Sequence, residues 1–199
     1  MELLLATHNQ HKTREFRELM GKEFDLADLS SFAECIMPQE VGRTFEENAT
    51  LKALYFSKQI DGLVIADDSG LEVDALGGAP GIYSARYAGE NASDAQKVEK
   101  LIRELKSVAN RAARFRCVIA LARKGKVLGT FEGVVEGTVV DPARGNAGFG
   151  YDPVFQPIGF EQTFGEMASE QKNRISHRAK AITALRQKLR EAFERGEEN

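Results

Sequence analysis

Two adjacent acids, Asp67 and Asp68, stand in the segment IADDSG and follow the apolar run 63–66. The run predicts a buried strand, and ligands of open α/β sheets gather at the carboxyl ends of strands. Neighbouring side chains of an extended chain point to opposite faces, so we expect only one of the two carboxylates to face a ligand. A hard cation such as Mg²⁺ would bind one or two carboxylates together with phosphate oxygens. The simpler alternative is a turn that Asp and Ser side chains cap themselves.

A second polar cluster, THNQHK at residues 7–12, follows the first apolar run of the chain and precedes a helical pattern. Backbone N–H groups at the start of a helix bind anions, and Lys12 could reach a phosphate there. The segment has no glycine and no GK[ST] sequence, so it is not a Walker A loop. The pair His8 and His11 is too small a ligand set to indicate zinc. An ordinary helix start capped by Asn9 is the alternative.

The last predicted helix begins within a set of cations. They are Lys172, Arg174, His177, Arg178 and Lys180. Cations at a helix N-terminus conflict with the helix dipole, and an anion bound at that end would resolve the conflict. A solvated basic face is the alternative.

A glycine-rich loop carries two aromatic residues in the sequence FGYDP, residues 149–153. Phe149 or Tyr151 could stack on a nucleobase. A loop pinned to the core by its aromatic rings is the alternative. Together the clusters offer an acid for a metal, cations for phosphates and a ring for a base, which indicates a nucleotide ligand but no particular reaction.

Alternating strands and helices must position these clusters. The patterns predict strands at 3–6, 24–29 and 63–66, a hairpin of strands at 114–122 and 127–140, and helices capped by Thr44, Ser93 and Ser176. Glycine and proline predict loops at 76–81 and 142–153. The architecture that follows is α/β around a mixed sheet.

Composition excludes several classes of protein. The chain has 199 residues and a formal net charge of −3, so a polyanionic ligand must meet a local basic cluster, and binding to long nucleic-acid tracts is disfavoured. No apolar segment approaches the roughly 20 residues of a membrane-spanning helix, and the opening MELLLATHNQ lacks a basic n-region. Cys35 and Cys117 form no CxxC pair, which fits a reducing compartment. We predict a cytoplasmic protein with no nucleic-acid or membrane partner.

The clusters, in this order, resemble the noncanonical purine NTP pyrophosphatase family, also known as inosine triphosphate pyrophosphatases or XTP/dITP diphosphatases. The matching stretches are ATHNQHK (6–12), FEEN (45–48), ADDSGLEVDALGGAPGIYSARYAG (66–89), GFGYDP (148–153), FGEM (164–167) and KNRISHRAKA (172–181). The resemblance implies Mg²⁺-dependent hydrolysis of ITP, dITP and XTP to the monophosphate and pyrophosphate by a homodimer. It also implies one α/β domain over residues 1–199, with a long twisted mixed sheet flanked by helices and two lobes with the active-site cleft between them.

By motif position, the resemblance implies a role for each site residue. Asp68 would be the catalytic acid–base residue and a metal ligand, with Glu40 as a second metal ligand. The substrate contacts would be Thr7, His8, Asn9, Gln10, His11, Lys12, Ser69, Phe149, Gly150, Tyr151, Asp152, Lys172, His177 and Arg178. A donor such as Arg178 would favour the 6-oxo group of hypoxanthine or xanthine and leave the adenine amine without an acceptor.

Three other functions stay open at this point. The protein could instead hydrolyse pyrimidine triphosphates. Comparing the hydrolysis of ITP with that of ATP, GTP and dTTP would distinguish this function from the family activity. A non-catalytic triphosphate sensor would bind ITP and release no product. A structural or interaction protein would need an exposed apolar surface, and the sequence shows no apolar stripe beyond the faces of the predicted helices.

Overall fold

The computed structural model describes residues 2–31 and 36–194. Its helices are α1 (Gln10–Met20), α2 (Phe45–Ser57), α3 (Asp94–Glu104), α4 (Ser169–Ile175) and α5 (His177–Glu194). Its strands are β1 (Glu2–Leu5), β2 (Asp25–Asp28), β3 (Leu63–Val73), β4 (Ala112–Arg123), β5 (Lys126–Val139) and β6 (Phe155–Pro157). Short 3₁₀ helices lie at Gly21–Glu23, Leu29–Ser31, Asp74–Leu76, Gly81–Arg86 and Asp152–Val154. No helix within the described ranges is both long and apolar enough to cross a membrane.

The strands form a six-stranded sheet in the order β2-β1-β3-β4-β5-β6. β1 pairs in parallel with both β2 and β3, whereas β5 and β6 pair antiparallel. Parallel neighbours need crossover connections, and α1 and α2 lie in the chain segments that supply them. The predicted α/β architecture, a mixed sheet flanked by helices, is confirmed.

The predicted hairpin is present between β4 and β5. Its turn consists of Lys124 and Gly125, whose φ angles of 48° and 73° are both positive. A two-residue turn with two positive φ angles matches the right-handed twist of the flanking strands. The turn therefore sets the register of the two longest strands of the sheet.

α2 and α3 start at the predicted caps Thr44 and Ser93, and α5 starts directly after Ser176, whose capping role stays a prediction. Thr44 accepts a hydrogen bond from the Glu47 N–H at 3.1 Å, as predicted. The Glu47 side chain, however, accepts from the Arg43 N–H at 2.6 Å instead of closing a capping box on Thr44. At α3 the box is complete, because Ser93 and Gln96 each accept from the other's backbone N–H.

The chain divides into two compact units. Unit 1 contains residues 1–68, 117–133 and 178–199, and unit 2 contains residues 69–116 and 134–177. Each unit has its own apolar core. The single domain over residues 1–199 and the cleft between two lobes stay predictions.

The core of unit 1 packs α1 and α5 against strand residues. Three apolar residues of α5, namely Ile182, Leu185 and Leu189, are buried, and they meet Phe16 and Met20 of α1 in one cluster. Burial of each such side chain contributes about 1.5–3 kcal/mol relative to exposure. Packing on this core fixes the first residues of both helices, where several candidate site residues lie.

The core of unit 2 is rich in aromatic rings. Phe115 lies 4.7 Å from Phe155 and 6.0 Å from Phe164 between ring centroids. Leu101 and Leu105 at the end of α3 are fully buried in the same cluster. This core supports α3 and the loop that precedes β6.

β3 is longer than the sequence predicts. The apolar run ends at Ala66, but the strand continues through Asp67 and Asp68 to Val73. The prediction that the acids lie at the end of the strand was wrong, and so was the self-capped turn. Both carboxylates are buried, and partners from other elements allow the strand to continue through them.

Candidate active site

The two acids lie just beyond the end of the neighbouring strand β1. Leu5, the last residue of β1, pairs with Ile65, and the Ala6 N–H donates to the Ile65 carbonyl at 2.8 Å. Asp67 and Asp68 follow on β3, where β1 has given way to a loop. Their side chains point to opposite faces of the strand, as predicted, and each has its own set of partners.

Asp67 is buried among cations of unit 1. Its Oδ2 atom lies 3.0 Å from Lys12 Nζ and 3.4 Å from Arg178 Nη2. Burial alone would raise the pKa of Asp67, but the charges of Lys12 and Arg178 outweigh it and hold that pKa well below its usual range. Asp67 is therefore an ionised anchor for two cations and a poor proton acceptor at neutral pH.

Arg178 is one of the largest fully buried side chains of the described chain. Its guanidinium donates to Glu15 on α1 as well as contacting Asp67. The unfavourable position of a cation in the first turn of α5 is thus balanced by two carboxylates of unit 1 itself. The predicted contact of Arg178 with a 6-oxo group stays a prediction.

The free thiol of Cys117 faces the same group. Its Sγ atom lies 3.9 Å from Asp67 Oδ2 and is fully buried on β4. Burial, together with the charge of Asp67, raises the pKa of Cys117 to about 12. Such a buried thiol is unreactive at neutral pH. Cys35 lies outside the described residues.

Asp68 lies on the opposite face of β3. The Asn48 side chain donates to its Oδ2 atom at 3.0 Å, and Lys52 Nζ lies 3.9 Å from Oδ1. Burial raises the pKa of Asp68, and the charge of Lys52 opposes that rise only in part. A carboxyl group with a raised pKa is a better proton acceptor near neutral pH. The two acids therefore differ in the property that matters for acid–base chemistry.

Lys52 is a site residue that the sequence analysis did not identify. Its Nζ atom lies 2.6 Å from Glu40 Oε1. Burial would lower the pKa of Lys52, but Asp68 and Glu40 raise it above its ordinary value, so the ammonium group stays charged. A signal was available, because Asn48 and Lys52 occupy helical positions within the apolar stripe of α2. Polar residues inside such a stripe indicate a buried polar partner.

Two carboxylates near Lys52 are ligands of the kind that a hard cation prefers. The carboxylates of Glu40 and Asp68 both approach its ammonium group. Mg²⁺ prefers one or two carboxylates and completes its octahedron with waters and substrate phosphates. Among the residues that the structure describes, no group of three or more His, Cys, Asp or Glu side chains could hold a metal. The two carboxylates of Glu40 and Asp68 match the number of protein ligands that a Mg²⁺ shared with substrate phosphates takes.

The predicted anion-binding segment leads into α1. Asn9 caps this helix, as predicted, by accepting from the N–H groups of His11 at 3.0 Å and Lys12 at 3.2 Å. The buried hydroxyl of Thr7 accepts from the Asn9 N–H at 3.1 Å. The side chains of His8, Asn9, Gln10 and His11 are exposed. Lys12 is the member of the segment that reaches Asp67, and the phosphate contacts stay predictions.

The loop with two aromatic residues gives them different surroundings. Tyr151 is buried and its hydroxyl donates to the Ser84 carbonyl at 3.0 Å, so this ring pins the loop to unit 2. Phe149 is half-buried, and Lys172 Nζ lies 5.3 Å from its ring centroid. Asp152 Oδ2 accepts from the Phe149 N–H at 2.8 Å and from Lys172 Nζ at 2.7 Å. Phe149 is therefore the ring that suits stacking on a base.

The cations near α5 are mostly not a solvated face. Lys172, His177 and Arg178 are buried, whereas Arg174 and Lys180 are exposed. The His177 ring stacks on Phe115 within unit 2, with 4.7 Å between centroids and 12° between planes. Ser69, the first residue of unit 2 after the acids, is half-buried, and its substrate role stays a prediction.

A family model matches nearly the whole chain. The model of the Ham1 family matches residues 3–188. The chain belongs to the Ham1 family. The resemblance that the motifs predict is confirmed, because the relatives of this Ham1 chain include proteins named as dITP/XTP pyrophosphatases.

Two of these relatives come from Bacillus species. The Ham1 chain is 47% identical to the dITP/XTP pyrophosphatase of Bacillus licheniformis over 187 residues, which are 92% of this chain and 95% of the relative. It is 46% identical to the dITP/XTP pyrophosphatase of Bacillus subtilis over 194 residues, which are 96% of this chain and 98% of the relative.

Solved structures of the family share the fold. The Ham1 protein of Staphylococcus aureus matches with a TM-score of 0.86 and 42% identity, over 100% of both chains. A HAM1 protein from Coxiella burnetii matches with a TM-score of 0.88 and 39% identity, over 96% of this chain and 100% of that chain.

Proposed function

We propose that this Ham1 chain hydrolyses the noncanonical purine triphosphates ITP, dITP and XTP to the nucleoside monophosphate and pyrophosphate. The observation that carries the proposal is the environment of Asp68, a buried carboxyl group that accepts from Asn48 at 3.0 Å and lies 3.9 Å from the ammonium of Lys52, which also holds Glu40. Relatives that are 46% and 47% identical are named for this activity on dITP and XTP.

Asp68 and its neighbours would perform the chemistry. Asp68 orients and deprotonates a water that attacks the α-phosphorus, and the bond from that phosphorus to the oxygen of the leaving pyrophosphate breaks. Lys52 keeps Asp68 in place, and Lys12 binds phosphate oxygens. Bound Mg²⁺, held by Asp68 and Glu40, would neutralise charge on the phosphates.

The loop that carries Phe149 would bind the nucleoside. Phe149 stacks on the base, and the ammonium of Lys172 next to that ring can only donate hydrogen bonds. A donor beside the base, such as this ammonium or the predicted Arg178, favours a 6-oxo purine and leaves the 6-amine of adenine without an acceptor. Gly150, Tyr151 and Asp152 shape this loop, and Ser69, His177 and Arg178 complete the proposed substrate contacts.

The proposal also covers the setting of the enzyme. We propose Mg²⁺ as the metal and a homodimer as the assembly, both as the family resemblance implies. A cytoplasmic location with no nucleic-acid partner fits the buried free thiol of Cys117 and the net charge of −3. Light scattering on the purified protein would measure the mass of the assembly directly.

Product identity tests the reaction. Purified protein is incubated with ITP and Mg²⁺, and pyrophosphate, orthophosphate and IMP are quantified separately. We expect equal amounts of IMP and pyrophosphate, slower turnover of ATP, GTP and dTTP, and loss of activity with a chelator. The Asp68→Asn variant, prepared in parallel, controls for a contaminating phosphatase. Release of orthophosphate alone, or binding of ITP without any product, would contradict the proposal.

A further inference from the structure

We propose that Asp94, at the start of α3, is a positioning residue that holds Phe149 ready to stack on the base. The inference rests on the proposed function, because it assigns a task to a residue outside the motifs that indicated that function. Asp94 lies in unit 2, as do Phe149 and its other partners.

The geometry joins α3 to the aromatic loop. The Gly150 N–H donates to Asp94 Oδ2 at 2.6 Å, although the two residues are 56 positions apart in the chain. A hydrogen bond to an ionised carboxylate is roughly twice as strong as one between neutral groups. Gly150 directly follows Phe149, so this bond fixes the peptide on the carboxyl side of the aromatic residue.

Asp94 itself is held firmly. Its other oxygen, Oδ1, lies 2.6 Å from Lys97 Nζ, one turn further along α3. The complete capping box of Ser93 and Gln96 fixes the backbone at the start of the helix. The carboxylate that receives the Gly150 N–H therefore stands on a rigid element and not on a second loop.

Two consecutive amides of the loop are thus held by two different carboxylates. The Phe149 N–H donates to Asp152, which belongs to the loop, and the Gly150 N–H donates to Asp94, which does not. Together the bonds fix the backbone on both sides of the half-buried Phe149. A ring that is ordered before binding loses less conformational freedom when the ligand arrives, so affinity rises.

Asp94 is suited to positioning more than to holding the fold. Its side chain is 47% exposed, and neither apolar core contains it. Its ion pair with Lys97 joins two residues one turn apart on the same helix, and such pairs contribute only about 0.2–0.5 kcal/mol. The loss of the Asp94 carboxylate should therefore disturb the loop while the rest of unit 2 stays folded.

Steady-state kinetics with ITP test the inference. We expect Asp94→Ala to raise KM about tenfold, the loss of one hydrogen bond to a charged group, with kcat nearly unchanged. Asp94→Asn keeps an acceptor oxygen, so its KM should lie between those of the wild type and Asp94→Ala. Lys97→Met is the matched control, since it removes the ion pair but keeps the Gly150 bond. In a Phe149→Ala background, Asp94→Ala should add nothing, because there is no ring left to position.

Hydrogen exchange provides a readout that does not depend on activity. We expect the Gly150 amide of the substrate-free protein to exchange faster in Asp94→Ala than in the wild type, and Lys97→Met to leave it unchanged. Thermal melts confirm that each variant is folded.

Four results would overturn the inference. They are an unchanged KM in Asp94→Ala, an equal rise in KM with and without Phe149, a rise in KM in Lys97→Met as large as in Asp94→Ala, and unchanged exchange at Gly150. A wild-type protein that releases no pyrophosphate from ITP would overturn the proposed function and this inference with it. If the wild type is active and the Asp94 variants keep the wild-type KM and Gly150 exchange, only the inference is overturned and the proposed function stands.

Discussion

The polar groups of unit 1 and the aromatic loop of unit 2 are held in place by different forces. In unit 1, buried charges balance one another, with Asp67 between Lys12 and Arg178. In unit 2, Phe149 is held by hydrogen bonds to backbone amides and by a neighbouring ammonium. The first arrangement fixes charge, as chemistry on phosphates requires, and the second fixes the shape of a surface for a flat ligand.

The difference sets what each region tolerates. A buried charge that loses its partner keeps its full desolvation cost, so the cluster of unit 1 cannot lose one charge without penalty. A half-buried ring can be removed without leaving a charge unpaired. Substitutions should therefore affect turnover and stability in unit 1, and substrate affinity in unit 2.

The largest effect is expected from Asp68→Asn. Without the proton acceptor, kcat for ITP should fall by roughly 10²- to 10⁴-fold. Single-turnover measurement of pyrophosphate release checks this. Near-normal turnover by Asp68→Asn would contradict the role of Asp68. A kcat lower in Asp67→Asn than in Asp68→Asn would show that the wrong acid is assigned.

Asp67→Asn should act mainly on stability. Breaking a buried ion pair costs about 3–5 kcal/mol, which urea unfolding at pH 7 would detect. The pKa of Asp67 is lowered in the folded state, so its contribution is present above the ordinary Asp pKa and is lost as pH falls below it. The deficit of the variant should thus be constant down to about pH 4 and shrink below that.

An exposed acid supplies the matched control for Asp67. Glu23 pairs with Arg186 and Arg190 at the surface of unit 1. Glu23→Gln should leave the urea midpoint nearly unchanged, because exposed pairs contribute little. Equal losses in the two variants would contradict the picture of a charge-balanced interior.

The smallest effect of the three is expected from Phe149→Ala. Stacking of an aromatic side chain on a base contributes about 1–3 kcal/mol, so KM for ITP should rise roughly ten- to hundredfold with kcat largely kept. Phe149→Tyr keeps the ring and serves as the control. A fall in kcat without a change in KM would assign Phe149 to the chemistry and break the contrast between the two regions.

Local signals predicted much of the fold. Thr44 and Ser93 mark the starts of two helices as the caps indicated, and the alternation of apolar runs gave the α/β class. The length of β3 was not predictable, because two adjacent acids after an apolar run indicate the end of a strand. Partners from other elements make their burial acceptable: Lys12 and Arg178 for Asp67, and Asn48 and Lys52 for Asp68.

The site was predictable in its motifs but not in its pairings. The positions of Asp68 and Phe149 followed from their segments, whereas Lys52 was overlooked although it lies in the apolar stripe of α2. The burial of Arg178 against Glu15 had no local signal, since the two residues lie 163 positions apart. Pairings of this kind depend on the packing of whole elements, which a single sequence does not display.

The separation of Glu15 and Arg178 has a consequence for synthesis of the protein. Glu15 and Asp67 leave the ribosome long before the guanidinium that joins them, which follows Glu15 by 163 residues. Until Arg178 is made, the nascent unit 1 holds two acids whose shared cation is missing. The arrangement around Asp67 is therefore completed late, and a chain that stops before residue 178 lacks the charge on which that arrangement depends.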